Sequence, residues 1–280
     1  MIKPSPAKSD LNNRPIGVFD SGLGGLTVVN QLIQYLPQES IVYFGDTARV
    51  PYGTKSPETI RKFAVQITRY LQSQGVKLIV VACNTVSSVA MENVVELSSV
   101  PVIGVIQPGA RAALQKSKNR RIGVIGTSAT VSAGKYNSVL SSIAPDVVVF
   151  AQACPLFVPL VEEGWIDSEV TEMVARIYLE PLIRQSIDTL ILGCTHYPII
   201  KDTIKKIVDK DIEIVDSAIQ TALEVRAVLS SNNLLNDSGT LPEHLYYVSD
   251  FPQKFEDIAR RLLGQPLKNI RRISLDDCTG

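Results

Sequence analysis

Leu78-Ile79-Val80-Val81-Ala82-Cys83-Asn84-Thr85 is an unbroken apolar run that stops at a thiol and passes straight into amide and hydroxyl side chains. Such a run, short and without polar alternation, fits a strand covered on both faces, as in parallel sheets. The residues after it are of the kind that open helices. Leu190-Ile191-Leu192-Gly193-Cys194-Thr195-His196 reads the same way. Two parts of the chain therefore present a cysteine at the same place, the carboxyl end of a buried strand.

Outward from Leu78, strands are expected over 16–20, 41–45 and 102–106, with helices over 25–36, 57–74 and 86–97. Short apolar runs separated by helices require crossover connections, and hence a parallel sheet with helices on both faces. The rhythm restarts after a loop over 116–120. Arg121-Ile-Gly-Val-Ile-Gly-Thr127 resembles Pro15-Ile-Gly-Val-Phe-Asp-Ser21, and 146–150 echoes 41–44. A helix over 168–186 and strands over 189–192 and 212–215 complete this second unit. From Ser217 onward the pattern gives a helix, a polar loop over 230–242, a strand over 244–248 and a helix over 251–263. The expected class is α/β: two pseudo-symmetric domains, each a mainly parallel sheet flanked by helices, with the active site in the cleft between them. A polar tail over 1–13 precedes a first domain over 14–106 plus 218–280, into which the second, 107–217, is inserted.

A chain of 280 residues is long enough for two domains, each burying its own core. Its 28 Lys and Arg balance 28 Asp and Glu, and Arg120-Arg121 and Arg271-Arg272 are isolated pairs. Nucleic-acid scaffolds usually carry a basic excess or stripe, so no nucleic-acid partner is expected. No run approaches the roughly 20 apolar residues of a membrane span. The N-terminal stretch lacks the apolar segment of a secretory signal, so a cytoplasmic protein without membrane contact is expected. Cys83, Cys154, Cys194 and Cys278 form no C-x-x-C pair. They read as reduced thiols and not as a disulfide framework or a metal site, with Cys154 and Cys278 serving packing.

Ligands of parallel sheets sit beyond the carboxyl ends of the strands, where helix N-termini offer free N–H groups. Four polar clusters fall there: Asp20-Ser21-Gly22, Gly45-Asp46-Thr47 followed by Pro51-Tyr52-Gly53, Cys83-Asn84-Thr85, and Cys194-Thr195-His196. Gathered round one cleft they suit a small anionic or zwitterionic molecule. Two thiols on opposite sides of it have the geometry to take a proton from one face of a carbon and return one to the other. A cysteine, ordinarily titrating near pH ~8.5, becomes a usable base beside a helix N-terminus or a cation. Its partner has to remain a thiol to deliver the new proton. No feature identifies a Schiff-base lysine, so no cofactor is expected.

Two other classes compete. Gly22-Leu-Gly24-Gly25 opens a helix after a strand, but the dinucleotide pattern needs glycine where Thr27 stands. A cysteine hydrolase with Cys194 as nucleophile and His196 as base leaves Cys83 without a role.

Taken together, five motifs resemble the glutamate racemases of the aspartate/glutamate racemase family: Ile16 to Val28, Tyr43 to Gly53, Ala82-Cys-Asn-Thr85, Pro159-Leu-Val-Glu-Glu-Gly164 and Leu192-Gly-Cys-Thr-His-Tyr-Pro198. The resemblance runs over 16–263 with the motifs in the family's order. It implies cofactor-independent interconversion of L- and D-glutamate, the latter for peptidoglycan, by a homodimer. It implies Cys83 as the base for D-glutamate and Cys194 as the base for L-glutamate, assisted by Asp20 and His196, with Glu162 near the second thiol. Asp20, Ser21, Tyr52, Gly53, Asn84, Thr85, Thr195 and His196 match substrate-binding positions.

Overall fold

The computed structural model describes residues 11–250, 256, 259–260 and 266–275. Two parallel sheets carry the fold. In the first, β1 (Ile16–Asp20) lies between β2 (Ile41–Gly45) and β3 (Leu78–Val81), with β4 (Val102–Gly104) beyond β3 and β9 (His244–Val248) and β10 (Ile270–Arg272) beyond β2. In the second, β5 (Arg121–Gly126) lies between β6 (Val148–Ala153) and β7 (Thr189–Gly193), with β8 (Glu213–Val215) beyond β7. The order β2-β1-β3-β4 thus repeats as β6-β5-β7-β8, every pair parallel. Cys83 and Cys194 follow the corresponding strands, β3 and β7.

The helices are α1 (Leu26–Tyr35), α2 (Pro57–Ser73), α3 (Asn84–Val89), α4 (Met91–Leu97), α5 (Ile106–Lys116), α6 (Ser128–Ala133), α7 (Lys135–Ile143), α8 (Phe157–Glu162), α9 (Glu169–Ile183), α10 (Lys201–Ile207) and α11 (Ser217–Ser231). Local chemistry sets their starts. Ser56 accepts from the N–H of Thr59 and Pro57 opens α2, while Ser168 caps α9 through Thr171. β1, β3 and β7 are buried along their whole length. Their alternate residues feed separate cores on the two sheet faces: Ile16 and Val18 pack with α1 and α11, whereas Phe19 packs with α2 and α3.

The structure departs from the expected elements in identifiable places. The helix expected over 86–97 is two, α3 and α4, parted at Ala90, whose φ of −127° and ψ of 7° leave the helical region. The strand expected over 102–106 stops at Gly104, because Val105 already takes helical dihedrals and Pro108 sits in the first turn of α5, where its missing N–H costs no helical bond. The strand expected over 146–150 begins at Val148 and runs to Ala153. Of the helix expected over 251–263 only residues 256, 259 and 260 are described, all helical, and Cys278 lies outside the described residues. Among the described residues no helix is long and apolar enough to cross a membrane.

Candidate active site

The carboxyl ends of both sheets meet at one cavity, and the contacts crossing it start with Asp20. This last residue of β1 is fully buried. Its Oδ2 accepts from the backbone N–H groups of Gly22 (3.1 Å) and Gly25 (3.0 Å), and its Oδ1 accepts from the Thr195 hydroxyl (3.3 Å). The carboxylate is therefore a latch between the two sheets as well as a charge near Cys83. Two glycines permit the approach. A Cβ on Gly25 would lie 2.5 Å from Asp20 Cβ, and one on Gly24 would lie 2.4 Å from Thr195 Oγ1 and 2.7 Å from His196 Nδ1.

Cys83 caps α3, is nearly inaccessible, and donates from Sγ to Ser21 Oγ at 3.6 Å. Burial pushes its thiol up to about 12, and Asp20 and Cys194 add to the rise while bonds from Val86 and Ser21 oppose it. In the free protein it is a thiol. The following Asn84 accepts at Oδ1 from the Tyr136 hydroxyl (2.7 Å), and Thr85 shares its hydroxyl with Thr127 (3.0 Å) and Thr130 (3.3 Å).

Cys194 Sγ lies 3.9 Å from Nδ1 of His196, whose Nε2 faces Glu162 Oε1 at 3.2 Å. Burial alone would lower the imidazole. Hydrogen bonds and charge from Cys194 and Glu162 overcome that and raise it to about 10. His196 is thus an imidazolium at neutral pH, clamped between a thiol and a carboxylate.

Between the two thiols lies a cavity of about 20 Å³, lined by Ser21, Tyr52, Gly53, Cys83, Asn84, Thr85, Cys194, Thr195 and His196, together with Val50, Pro51, Thr127 and Val158. It takes a single water, so anything larger has to widen the gap between its walls. Asp20 and Glu162 stand behind the lining, reaching it through Thr195 and His196. The phenol of Tyr52 donates to Asp46, which also takes the Arg49 guanidinium and the Ser249 hydroxyl, and its ring packs on Phe63. The side chain is therefore committed to its own sheet. Gly53 is required for closure, since a Cβ there would lie 2.4 Å from Thr127 Cβ. Among the described residues no cluster of His, Cys, Asp and Glu could hold a metal ion.

Residues 16–224 match the Asp/Glu/Hydantoin racemase family. The chain belongs to this family. It is thus an isomerase. A glutamate racemase of Syntrophus aciditrophicus is 49% identical over 261 residues, covering 93% of this chain and 97% of the relative. One from Geobacter metallireducens is 47% identical over 263 residues, covering 94% and 97%. Among solved structures, the glutamate racemase of Francisella tularensis in complex with D-glutamate superposes with a TM-score of 0.90 at 43% identity, covering 95% of this chain and 99% of that one.

Sequence reasoning missed Thr127, Thr130, Val158 and Tyr136 in and around this cavity. For Thr127 the signal was present, because it stands in Arg121–Thr127 where Ser21 stands in Pro15–Ser21. Val158 and Tyr136 lie on short helices that no strand-end pattern marks.

Proposed function

We propose that the chain interconverts L- and D-glutamate without a cofactor, using Cys83 and Cys194 as its two acid–base groups. One observation carries the reading: two thiols at corresponding strand ends of two like-ordered sheets line the same cavity. The curated relatives supply the substrate, since one methylene separates glutamate from aspartate and is worth only about 1–3 kcal/mol in a pocket.

In the D-to-L direction the Cys83 thiolate takes the α-proton and the Cys194 thiol gives one to the opposite face, leaving Cys83 protonated and Cys194 anionic. With the site open between turnovers, solvent takes the Cys83 proton and returns one to Cys194, which restores the starting pair. The L-to-D direction runs in reverse. The His196 imidazolium stands ready to donate to the Cys194 sulfur anion, a charge-assisted bond in a site closed to water. Ser21, Asn84, Thr85 and Thr195 offer neutral donors for the substrate carboxylates, and Asp20 fixes Thr195 among them. The Cys194–His196–Glu162 string by itself also suits a cysteine hydrolase, but a hydrolase has no task for Cys83. In the cell this activity supplies D-glutamate for peptidoglycan, from a cytoplasmic homodimer whose protomer divides into 14–106 plus 218–280 and 107–217.

Racemisation in deuterium oxide tests the scheme. Each product molecule acquires deuterium at Cα while remaining substrate stays protiated early in the reaction. Early deuterium in unreacted substrate at the rate of turnover overturns the two-thiol assignment, as does activity that a metal chelator or carbonyl trap removes.

A further inference from the structure

Tyr136 of α7 touches the neighbours of both thiols. Its ring is buried against Gly193, the residue before Cys194, where a Cβ would stand 3.2 Å from Tyr136 Cε2. Its hydroxyl donates to Oδ1 of Asn84, the residue after Cys83, at 2.7 Å. One side chain from the second sheet's helices thus holds a cavity residue attached to the first sheet. Burial pushes the phenol well above its ordinary value, with Asp216 and Cys194 adding to the rise, so the hydroxyl keeps its proton and donates.

A primary amide has an acceptor end and a donor end. Because the Tyr136 donor occupies Oδ1, Asn84 presents Nδ2 on its other side, and among the described residues nothing accepts from Nδ2. Asn84 also lines the cavity. We infer that Tyr136 is a positioning residue that locks the Asn84 amide so that its Nδ2 protons meet a substrate carboxylate. This inference rests on the glutamate reading above. Without Tyr136 the amide is free to turn its oxygen toward the carboxylate, where it repels and does not bind. The bond also joins the two sides of the cavity, so the amide is fixed only when they are closed on each other.

Tyr136→Phe keeps the ring against Gly193 and removes the one donor. The Kd for glutamate, read by calorimetry at equilibrium, rises about ten-fold and KM follows it, while kcat changes less than about three-fold. In an Asn84→Ala background the same change adds less than about two-fold, because the group being positioned is gone. An unchanged Kd, or losses that multiply independently in the double variant, overturns the inference and leaves Tyr136 a packing residue. If Tyr136→Phe does not fold, the unmutated enzyme gives the answer through its Asn84 side-chain NH2 resonances. They shift on glutamate addition if Nδ2 meets the ligand, and an absence of shift overturns the inference. Failure of the unmutated enzyme to racemise glutamate would instead sink the substrate reading, so the two failures are distinct.

Discussion

Cys83 faces a hydroxyl and a buried carboxylate, whereas Cys194 faces an imidazolium backed by a second carboxylate. The strands beneath them correspond: β1 ends at Asp20 where β5 ends at Gly126, and Thr85 stands two residues past Cys83 where His196 stands two past Cys194. Two substitutions within a repeated backbone therefore give opposite electrostatics at the two thiols. The carboxylate near Cys83 favours the neutral thiol, whereas Cys194 has a raised, proton-holding imidazole beside it. A reaction that needs one acid and one base gains from this inequality. Like sheets present the thiols alike, and unlike neighbours surround them.

The harshest way to break this comparison is to remove one thiol at a time. Cys83→Ala and Cys194→Ala each lower racemisation by about 10³-fold or more in both directions, followed by circular dichroism. A racemisation has no net driving force, so kcat/KM is equal in the two directions for every variant, and the inequality of the thiols has to be sought elsewhere. Exchange without inversion shows it. Cys83→Ala, which keeps Cys194 and its imidazolium, washes deuterium into L-glutamate faster at neutral pH than Cys194→Ala does into D-glutamate. Substantial racemisation by either variant overturns the pairing, and equal exchange rates overturn the electrostatic contrast.

Much of this site was legible in the sequence because β3 and β7 are buried on both faces. Their continuous apolar runs end abruptly, so the cysteines after Ala82 and Gly193 could be placed at strand ends without any tertiary information. Contacts that cross between the sheets were not legible. Asp20 reads as a cap or an assistant to Cys83, yet it also binds Thr195, 175 residues away. Tyr52 reads as a substrate contact and lines the cavity, but the bond that holds its phenol, to Asp46, is one that pattern and propensity do not encode. The short helices α6, α7, α8 and α10 escaped because six to nine residues give too little periodicity to separate from loops.

A milder change sharpens the contrast by removing the charge and keeping the thiol. His196→Asn lowers kcat about 10²-fold with little change in KM, since the imidazolium acts on the sulfur and not on substrate affinity. Asp20→Asn weakens the Thr195 latch and therefore raises KM as well as lowering kcat. Stability against pH gives a second reading. His196 holds its proton to about 10 in the folded protein against an ordinary value of 6.5, so its contribution is complete below that ordinary value and is lost as pH rises through about 10. Cys83, raised from 9.0 to about 12, adds loss of the same sign at higher pH. The thermal midpoint thus falls across the alkaline range, and His196→Asn flattens the part between about pH 6.5 and 10. A midpoint that rises with pH there contradicts a protonated His196.

The smallest expected effect comes from a third thiol. Cys154 follows β6 as Asp46 follows β2, and the backbone bond from Cys154 N to Gly126 O repeats that from Asp46 N to Asp20 O. The positions correspond, but their side chains differ in use. Asp46 holds Arg49, Tyr52 and Ser249, whereas Cys154 Sγ, fully buried, reaches among the described residues only the carbonyl of Gln152, two residues back, at 3.6 Å. Burial pushes its thiol well up, with Cys194 adding to the rise, so it has no access to the thiolate form that proton abstraction requires. The bond that matters there is accepted by the backbone, since the Tyr197 hydroxyl donates to Cys154 O at 2.9 Å and any residue type at 154 retains it. Cys154→Ala therefore leaves kcat/KM within about two-fold and lowers the thermal midpoint by about 2–4 °C for the small void it leaves. A loss of activity approaching that of Cys194→Ala would place a third thiol in the proton path, and the contrast between two strand-end cysteines would no longer describe the chemistry.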